Sequence, residues 1–281
     1  MNPLDNLPWV SIITPVYNGS QHIEELILSV KTQNYPRIEH IIIDDGSQDG
    51  GATVAILERY PHLKWWGRDN RGQYATMNEG LEKARGDIIC FISADDLLCS
   101  DAVQNAVDYL AGSSSSDGVF GRTLLILENG RKNDFQTPFP GWPFKYYPYL
   151  SHVSHCSLYI RTKVIRTRSL FFDERYRYTG DYEWMTRMVL AGLKIGSIDR
   201  DLSMVRMHET QATQQYRTQM LFERDTILKH YHFYNWKYHF LAFLYFLNIA
   251  FQKIRASYEN NGIKGGFKLV SDWALRRMGG K

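Results

Sequence analysis

Residues 70–96 read NRGQYATMNEGLEKARGDIICFISADD and combine a glycine-containing turn, an amphipathic segment and a short apolar run that ends in two adjacent carboxylates. The run at 88–92, IICFI, has the length of a fully buried β-strand. In open α/β sheets, ligands collect outside the carboxyl ends of such strands. Asp95 and Asp96 are therefore expected in a crevice, where they suit a divalent cation that carries a diphosphate. The alternative is that Asp96 caps a helix beginning at Leu97.

Strand-like and helix-like segments alternate along the first third of the chain. Apolar runs predict strands at residues 10–17, 40–45, 63–66 and 87–93, and helical spacing of apolar residues predicts helices at 21–32, 52–60 and 73–84. Such alternation is typical of parallel strands joined by helical crossovers, so the sequence predicts an α/β fold with a Rossmann-like half. Asp44 and Asp45 end the second predicted strand and are expected at the same sheet edge as Asp95.

An ordered set of motifs resembles glycosyltransferase family 2, a family of inverting enzymes with the GT-A fold. The motifs are SIITPVYNG at 11–19, IIIDDGSQDG at 41–50, NRGQYATMNEGLEKARGD at 70–87, FISADD at 91–96, FFDERYRYTGDYEWMTRMVLAGLKI at 171–195 and VRMHETQAT at 205–213. The likeness covers about three quarters of the chain. Because order and spacing both match, the set is far more specific than any single motif.

The resemblance implies a GT-A domain, a Rossmann-like mixed sheet flanked by helices, over residues 1–215. Its nucleotide-sugar half is expected at about residues 8–112 and its acceptor half at about 119–215, with the glycine- and serine-rich turn 112–118 between them. Residues 216–281 are predicted to form a helical C-terminal extension.

The resemblance also implies which residues contact the nucleotide-sugar donor. Pro15 and Tyr17 match the first turn, which packs around the uracil and ribose. Asn70 stands where many relatives have Asp, so a hydrogen-bonding group remains while a charge is lost. The full implied set is Pro15, Tyr17, Asp44, Asp45, Asn70, Gly72, Asp95 and Asp96.

A divalent cation, Mn²⁺ or Mg²⁺, is implied as the cofactor. Asp95 matches the metal-binding acid of the family's DxD-type motif, whereas Ser93 occupies the first acid position. With one carboxylate fewer, the cation must depend on the diphosphate, on Asp95 and on a distant ligand. The resemblance assigns that ligand to His208 in the R-x-H segment, and imidazole suits Mn²⁺ better than Mg²⁺. The alternative is that His208 is a surface residue.

Asp181 matches the position of the family's catalytic carboxylate. Inverting sugar transfer is a single in-line displacement that needs a base for the acceptor hydroxyl proton and a cation for the leaving diphosphate. The apolar spacing after Asp181 predicts a helix that starts there and faces the cleft; ordinary helix capping is the alternative. Glu183 is the competing base and lies on a different helical face. His155 falls where relatives carry a histidine on the acceptor side, which implies an acceptor contact.

Other functional classes fit the sequence less well. A glycoside hydrolase also uses two carboxylates, but that function leaves Asp44, Asp45 and the 70–80 segment unexplained. A nicotinamide-dependent enzyme is disfavoured because no G-x-G-x-x-G follows the first predicted strand. A non-catalytic nucleotide-sugar or glycan-binding module stays open, since Ser93 makes the metal motif degenerate.

An aromatic, proline-rich tract at residues 135–150 lies between the two halves. Its four prolines exclude regular helix, and the tract is expected to drape over the cleft; a packed connector is the alternative. The chain of 281 residues is 44% hydrophobic, which is enough for one large core. Its net charge of +3 is too small to imply nucleic acid.

Cysteine usage and the N-terminal residues favour a cytoplasmic location. Cys90, Cys99 and Cys156 show neither metal-ligand spacing nor an even disulfide set, which indicates a reducing compartment. The first residues, MNPLDNLPW, lack the basic and apolar regions of a secretory signal.

Cationic and aromatic residues mix over residues 222–251, where the run at 240–251 is apolar. This run is too short to span a bilayer, which takes about twenty residues. It either lies along a membrane interface or packs on the core or a second subunit. The expected reaction is sugar transfer, with UDP as the favoured nucleotide, to a hydroxyl of a glycan or polyprenyl-diphosphate-linked oligosaccharide at the inner face of a bacterial membrane, in surface polysaccharide synthesis.

Overall fold

The computed structural model describes residues 6–126, 132–137, 143–208, 211–233, 235–237, 240, 241 and 244. The chain divides into two compact units, Met1–Ile227 and Leu228–Lys281. The first unit thus continues past residue 215, where the sequence predicts the end of the GT-A domain. The apolar run predicted at 240–251 lies outside the described residues except at 240, 241 and 244. Within the described ranges, none of the helices has the length and apolar character of a bilayer span.

Strands and helices alternate through the first unit. The strands are β1 (Val10–Val16), β2 (Ile38–Asp44), β3 (Lys64–Gly67), β4 (Ile88–Phe91), β5 (Leu97–Leu98), β6 (Gly118–Ile126), β7 (Lys132–Thr137), β8 (Leu158–Arg161) and β9 (Ile195–Arg206). The α-helices are α1 (Ile23–Lys31), α2 (Ala52–Leu57), α3 (Gln73–Lys83), α4 (Ala102–Gly112), α5 (Tyr147–Leu150), α6 (Thr162–Thr167), α7 (Gly180–Leu190), α8 (Ala212–Gln215) and α9 (Arg217–His230).

One mixed sheet organises the described part of the first unit, in the strand order β3-β2-β1-β4-β8-β6-β9-β5, with β7 paired to β6. Strands β3, β2, β1 and β4 run parallel, and β8 joins them antiparallel to β4. The predicted α/β fold with a Rossmann-like half is therefore confirmed. Because parallel strands end at the same edge, the segments after β1, β2 and β4 meet there.

Both faces of the central strands are covered, which explains their continuous apolar sequence. Every residue of β1 and β4 is buried. Cys90 faces the core cluster that includes α1 and α4, whereas its neighbour Phe91 points to the opposite face. There Phe91 meets Trp184 of α7 edge-on, with ring centroids 5.4 Å apart. This contact holds α7, and with it Asp181, against the sheet.

Two of the sequence-based interpretations need correction. The alternative in which Asp96 caps a helix is wrong, because Leu97 and Leu98 form β5 and pair with β9, and α4 begins only at Ala102. The exclusion of helix from residues 135–150 is also wrong at α5. Pro148 lies in the first turn of that helix, where a proline removes no intrahelical hydrogen bond.

The described end of the proline-rich tract is a packed connector. Phe144 and Tyr147 are 3% and 2% exposed, and their rings stack with centroids 5.7 Å apart. Pro138 and Pro140 lie outside the described residues. The three cysteines are free thiols, as the sequence predicts.

Candidate active site

Asp45 holds the loop that follows β3 against the end of β2. Its carboxylate accepts hydrogen bonds from the backbone amides of Arg71 at 2.8 Å and Gly72 at 2.9 Å, and it pairs with the guanidinium of Arg68. The residue is buried. Gly46 lets this loop come close, because an added Cβ there would lie 2.9 Å from the backbone nitrogen of Asn70. Asp45 thus fixes the shape of this side of the cleft through the loop that it binds.

Asp44 connects the loops after β1 and β2. Its Oδ1 accepts a hydrogen bond from the backbone amide of Ser47 at 3.2 Å, and Ser47 Oγ accepts one from the backbone amide of Asn18 at 2.8 Å. The carboxylate is buried like that of Asp45. The adjacent acids that end β2 therefore order two different loops at the same sheet edge.

The other predicted donor contacts differ in exposure. Pro15 is buried within β1, opposite Ile43 of β2. Tyr17 is 48% exposed just beyond that strand, and Asn70 is also exposed. Gly72 adopts a φ of +92°, a backbone conformation that favours glycine. Tyr17 and Asn70 are thus accessible from solvent, while Pro15 and Gly72 shape the backbone next to them.

Asp95 and His208 come together although 113 residues separate them. Their Oδ2 and Nε2 atoms lie 3.0 Å apart, and both side chains are partly exposed. The end of β9 brings His208 here, because the backbone amide of Arg206 donates to Asp96 at 3.0 Å and the Arg206 guanidinium donates to the Asp95 carbonyl at 3.2 Å. His208 is therefore placed beside the predicted metal-binding acid rather than on a remote surface.

The pair Asp95–His208 fits one side of a cation shell. One carboxylate oxygen and one imidazole nitrogen are acceptable ligands for Mn²⁺. No group of three or more His, Cys, Asp and Glu side chains suited to a metal ion occurs among the described residues. Two protein ligands match a cation whose remaining positions belong to diphosphate oxygens and water. The donor set therefore fits a metal shared with a nucleotide and does not form an all-protein cage.

Asp96 points away from the cleft. It is 3% exposed, and its Oδ2 accepts a hydrogen bond from the Cys156 thiol at 3.2 Å. Burial, with further contributions from Cys156 and Asp95, raises the pKa of Asp96 well above its ordinary value. Together with its bond to Arg206, this position makes Asp96 a link between the end of β4, the segment before β8 and the end of β9.

Asp181 lies at the start of α7 and is fixed from two sides. Tyr74 of α3 donates its hydroxyl to Asp181 Oδ1 at 3.1 Å, and His155 Nδ1 lies 3.3 Å from Asp181 Oδ2. Gly180 makes the Tyr74 contact feasible, because an added Cβ would lie 2.6 Å from the tyrosine ring. On its other side, His155 Nε2 lies 3.4 Å from Ser93 Oγ. One histidine thus connects the candidate base to the degenerate metal motif.

The surroundings keep Asp181 ionised. Burial alone would raise the pKa of its carboxyl, but the hydrogen bond and charge of His155 outweigh burial, and the pKa falls below its ordinary value. Burial opposes the charge on His155 as well. Cys156 and Asp181 outweigh that effect and raise the pKa of His155 well above its ordinary value. Near neutral pH Asp181 is therefore a carboxylate, with the His155 ring beside it.

Glu183 is placed where it cannot reach the cleft. Its side chain is fully buried, and Arg187 one turn later binds both carboxylate oxygens at 2.6 and 2.9 Å. Asp181, by contrast, has 28% of its side chain exposed. Only the first of these two acids is available to a substrate.

A cavity of about 400 Å³ opens beside Asp181. Residues of α5, α7, α8 and α9 line it, among them Tyr147, Tyr182, Arg217 and Arg224. Asp95 and His208 are not among its lining residues. Asp181 therefore lies between the carboxyl edge of the sheet and a second space that is large enough for a sugar ring.

Sequence reasoning missed three residues that organise this site. Tyr74 was read only as part of a helix, Cys156 only as a free thiol, and Glu223 not at all. Glu223 accepts hydrogen bonds at 2.9 to 3.0 Å from the backbone amides of residues 177, 178 and 179, directly before α7. The one sequence signal for Tyr74 is a large aromatic side chain in a predicted helix otherwise rich in small and polar residues; no local pattern marks Glu223.

Comparison with known proteins identifies the family. Residues 11–177 match the profile described as Glycosyl transferase family 2, and the chain belongs to this family. An uncharacterized glycosyltransferase of Haemophilus influenzae is 32% identical over 151 residues, which cover 50% of this chain and 60% of that protein. The chain thus spans only part of the length of this relative.

Two solved structures show that the fold is GT-A. TarS 1-349 of S. aureus in complex with UDP-GlcNAc is similar with a TM-score of 0.62 at 22% identity, over 74% of this chain and 61% of that chain. The mannosyltransferase PcManGT from Pyrobaculum calidifontis, in complex with GDP-Man and Mn²⁺, gives a TM-score of 0.61 at 20% identity. That match covers 97% of this chain and 81% of that chain. The GT-A fold implied by the sequence motifs is confirmed.

Replacing His155 should shift the acid limb of the activity profile to higher pH. In H155Q the partly exposed Asp181 loses the partner that holds its pKa down, so its pKa rises and protonation inactivates it at a higher pH than in the wild type. The measurement is kcat/KM against pH with a saturating donor. H62Q, at an exposed histidine outside the site, serves as the matched control. An acid limb at the same pH in H155Q and wild type contradicts the role of His155 as the partner of Asp181.

Proposed function

We propose that this protein is an inverting glycosyltransferase that moves a sugar from a nucleoside diphosphate to a hydroxyl group. The observation that carries the proposal is the ionised, partly exposed Asp181 between a donor-side sheet edge and a separate cavity. A base with this placement can take a proton from an acceptor in the cavity while a sugar is presented from the other side. The membership of glycosyl transferase family 2 supports the same reaction class.

The proposed reaction is one displacement. Asp181 removes the acceptor hydroxyl proton as the acceptor oxygen forms a bond to the anomeric carbon. The bond from that carbon to the diphosphate oxygen breaks, and the nucleoside diphosphate leaves with the electron pair. His155 and Tyr74 hold the Asp181 carboxylate in place. Asp95 and His208 are the residues that would hold a divalent cation, which when bound supplies positive charge to a diphosphate.

UDP is the proposed nucleotide, and Mn²⁺ the proposed metal. The similar TarS structure contains UDP-GlcNAc, and the similar PcManGT structure contains GDP-Man and Mn²⁺. The proposed acceptor is a glycan or a polyprenyl-diphosphate-linked oligosaccharide of a bacterial surface polysaccharide. The proposed location is the cytoplasm, at the inner face of the membrane. The transferred group is proposed to be a hexosyl or N-acetylhexosaminyl residue.

Incubation with a panel of nucleotide sugars and acceptors, with Mn²⁺ or Mg²⁺, tests this proposal. We expect release of nucleoside diphosphate that depends on both donor and acceptor, and NMR of the product should show an anomeric configuration opposite to that of the donor sugar. Retention of the donor configuration contradicts the displacement mechanism. Nucleotide binding without turnover for any donor and acceptor favours the non-catalytic module.

A further inference from the structure

Two arginines that have no acidic partner among the described residues line the cavity beside Asp181. Arg217 and Arg224 lie seven residues apart on α9, with Met220 and Leu221 between them on the same helical face. Among the described residues that line the cavity, Asp181 is the one acid. Two guanidinium groups against one carboxylate leave this cavity with an excess of positive charge.

Arg224 is the more unusual of the two. Its guanidinium lies over the Tyr182 ring, 5.1 Å from the centroid, and its buried Nε has no hydrogen-bond partner within the part of the chain that the structure describes. In the described part of the chain, neither Arg224 nor Arg217 forms a salt bridge, whereas Arg68, Arg122 and Arg187 each bind a carboxylate. A buried donor without an acceptor is costly. A ligand that brings an acceptor to the cavity would remove that cost.

The helix that carries these arginines is fixed relative to Asp181. Glu223, the neighbour of Arg224, accepts three backbone hydrogen bonds from residues 177–179 and one from the Thr179 hydroxyl at 2.9 Å. These residues lead directly into α7 and Asp181. Arg224 is therefore held at a fixed place beside the candidate base, and Arg217 is an exposed cation that lines the same cavity.

We propose that the acceptor carries a phosphate group and that Arg217 and Arg224 bind it in this cavity while its hydroxyl faces Asp181. This inference rests on the proposed function. Two guanidinium groups offer more N–H donors than the two oxygens of a carboxylate can accept, and they match the several oxygens of a phosphate. The donor diphosphate is the other candidate anion. In the proposed function the donor diphosphate binds next to Asp95 and His208, and these two residues do not line the cavity.

The test measures binding of small phosphates to the full-length chain with the donor site already filled. In saturating UDP and Mn²⁺, glucose 1-phosphate, methyl glucoside, glucuronic acid and farnesyl diphosphate are titrated by calorimetry or ligand-observed NMR. We expect glucose 1-phosphate to bind at least about tenfold more tightly than methyl glucoside, because charge-assisted hydrogen bonds to guanidinium are strong. Tighter binding of farnesyl diphosphate than of glucose 1-phosphate supports a lipid diphosphate as the source of the group, and the reverse supports a phosphate within the glycan.

The variants R217Q and R224Q should each weaken glucose 1-phosphate binding by about tenfold or more, with UDP affinity unchanged within about twofold. R224K keeps the charge and should recover part of the affinity, which separates anion binding from a packing defect on Tyr182. R200Q removes an exposed arginine outside the cavity and serves as the charge-matched control.

Three results would overturn the assignment. They are equal binding of methyl glucoside and glucose 1-phosphate, tighter binding of glucuronic acid than of glucose 1-phosphate, and a parallel loss of UDP affinity in the arginine variants. Failure of the proposed function gives a different result, namely no UDP binding and no sugar transfer. The phosphate titration without UDP still tests the two arginines in that case.

Discussion

D181N is expected to lower sugar transfer by about 10²- to 10⁴-fold, the range that general-base catalysis contributes. The asparagine keeps the shape of the side chain, and its carbonyl oxygen can still accept the Tyr74 hydroxyl. Because asparagine has nearly the same size and shape as aspartate, the fold of the site is expected to persist. What is lost is the ability to take the acceptor proton. The measurement is kcat/KM for transfer, paired with the Kd for UDP.

The affinity for UDP separates a base from a binding residue. We expect the Kd for UDP to change less than about twofold in D181N, because the loops after β1, β2 and β3 are organised by Asp44 and Asp45 and not by Asp181. D108N, at an exposed acid on α4, removes the same charge far from the cleft and should match the wild type. Transfer by D181N within threefold of the wild type would remove Asp181 from its proposed role.

The donor half was predictable because its signals are short in range. Each buried strand is a continuous apolar run, each crossover helix has its own apolar spacing, and the acids come directly after their strands. Asp44, Asp45 and Asp95 therefore reach one sheet edge by topology alone. Their partners were not predictable in the same way. That Asp45 binds the amides of Arg71 and Gly72 depends on how the loop after β3 folds back.

The surroundings of Asp181 are set by contacts between distant parts of the chain. Tyr74 lies 107 residues before Asp181 in sequence, and Glu223 reaches back 44 residues to Thr179. Such pairs follow from how α3, α7 and α9 pack, which no local periodicity encodes. The resemblance to family 2 placed Asp181 and His155 in the site, but only the structure shows that His155 contacts Asp181 and Ser93. The exclusion of helix from the proline-rich tract was wrong for a local reason, because proline is acceptable in a first helical turn.

Removal of divalent cations is expected to lower transfer by about 10²-fold or more, since a bound cation contributes several kcal/mol of charge stabilisation to such reactions. Asp95 and His208 are the two proposed ligands, and no group of three or more His, Cys, Asp and Glu side chains suited to a metal ion occurs among the described residues. We therefore expect Mn²⁺ to bind tightly only when UDP is present, because diphosphate oxygens must complete the shell. Electron paramagnetic resonance of free Mn²⁺, titrated with protein with and without UDP, measures this dependence directly.

The variants D95N and H208A should each raise the Mn²⁺ concentration required for half-maximal transfer, by about tenfold or more, because each removes one of the two proposed protein ligands. D108N again provides the charge-matched control for D95N. Excess Mn²⁺ should restore part of the activity of H208A, since the carboxylate of Asp95 remains. Transfer that persists in EDTA, or tight Mn²⁺ binding without UDP, would contradict the shared site. Tight Mn²⁺ binding without UDP is the sharper of these two tests. Ser93 stands where a second carboxylate would be needed for a metal site that does not depend on the nucleotide.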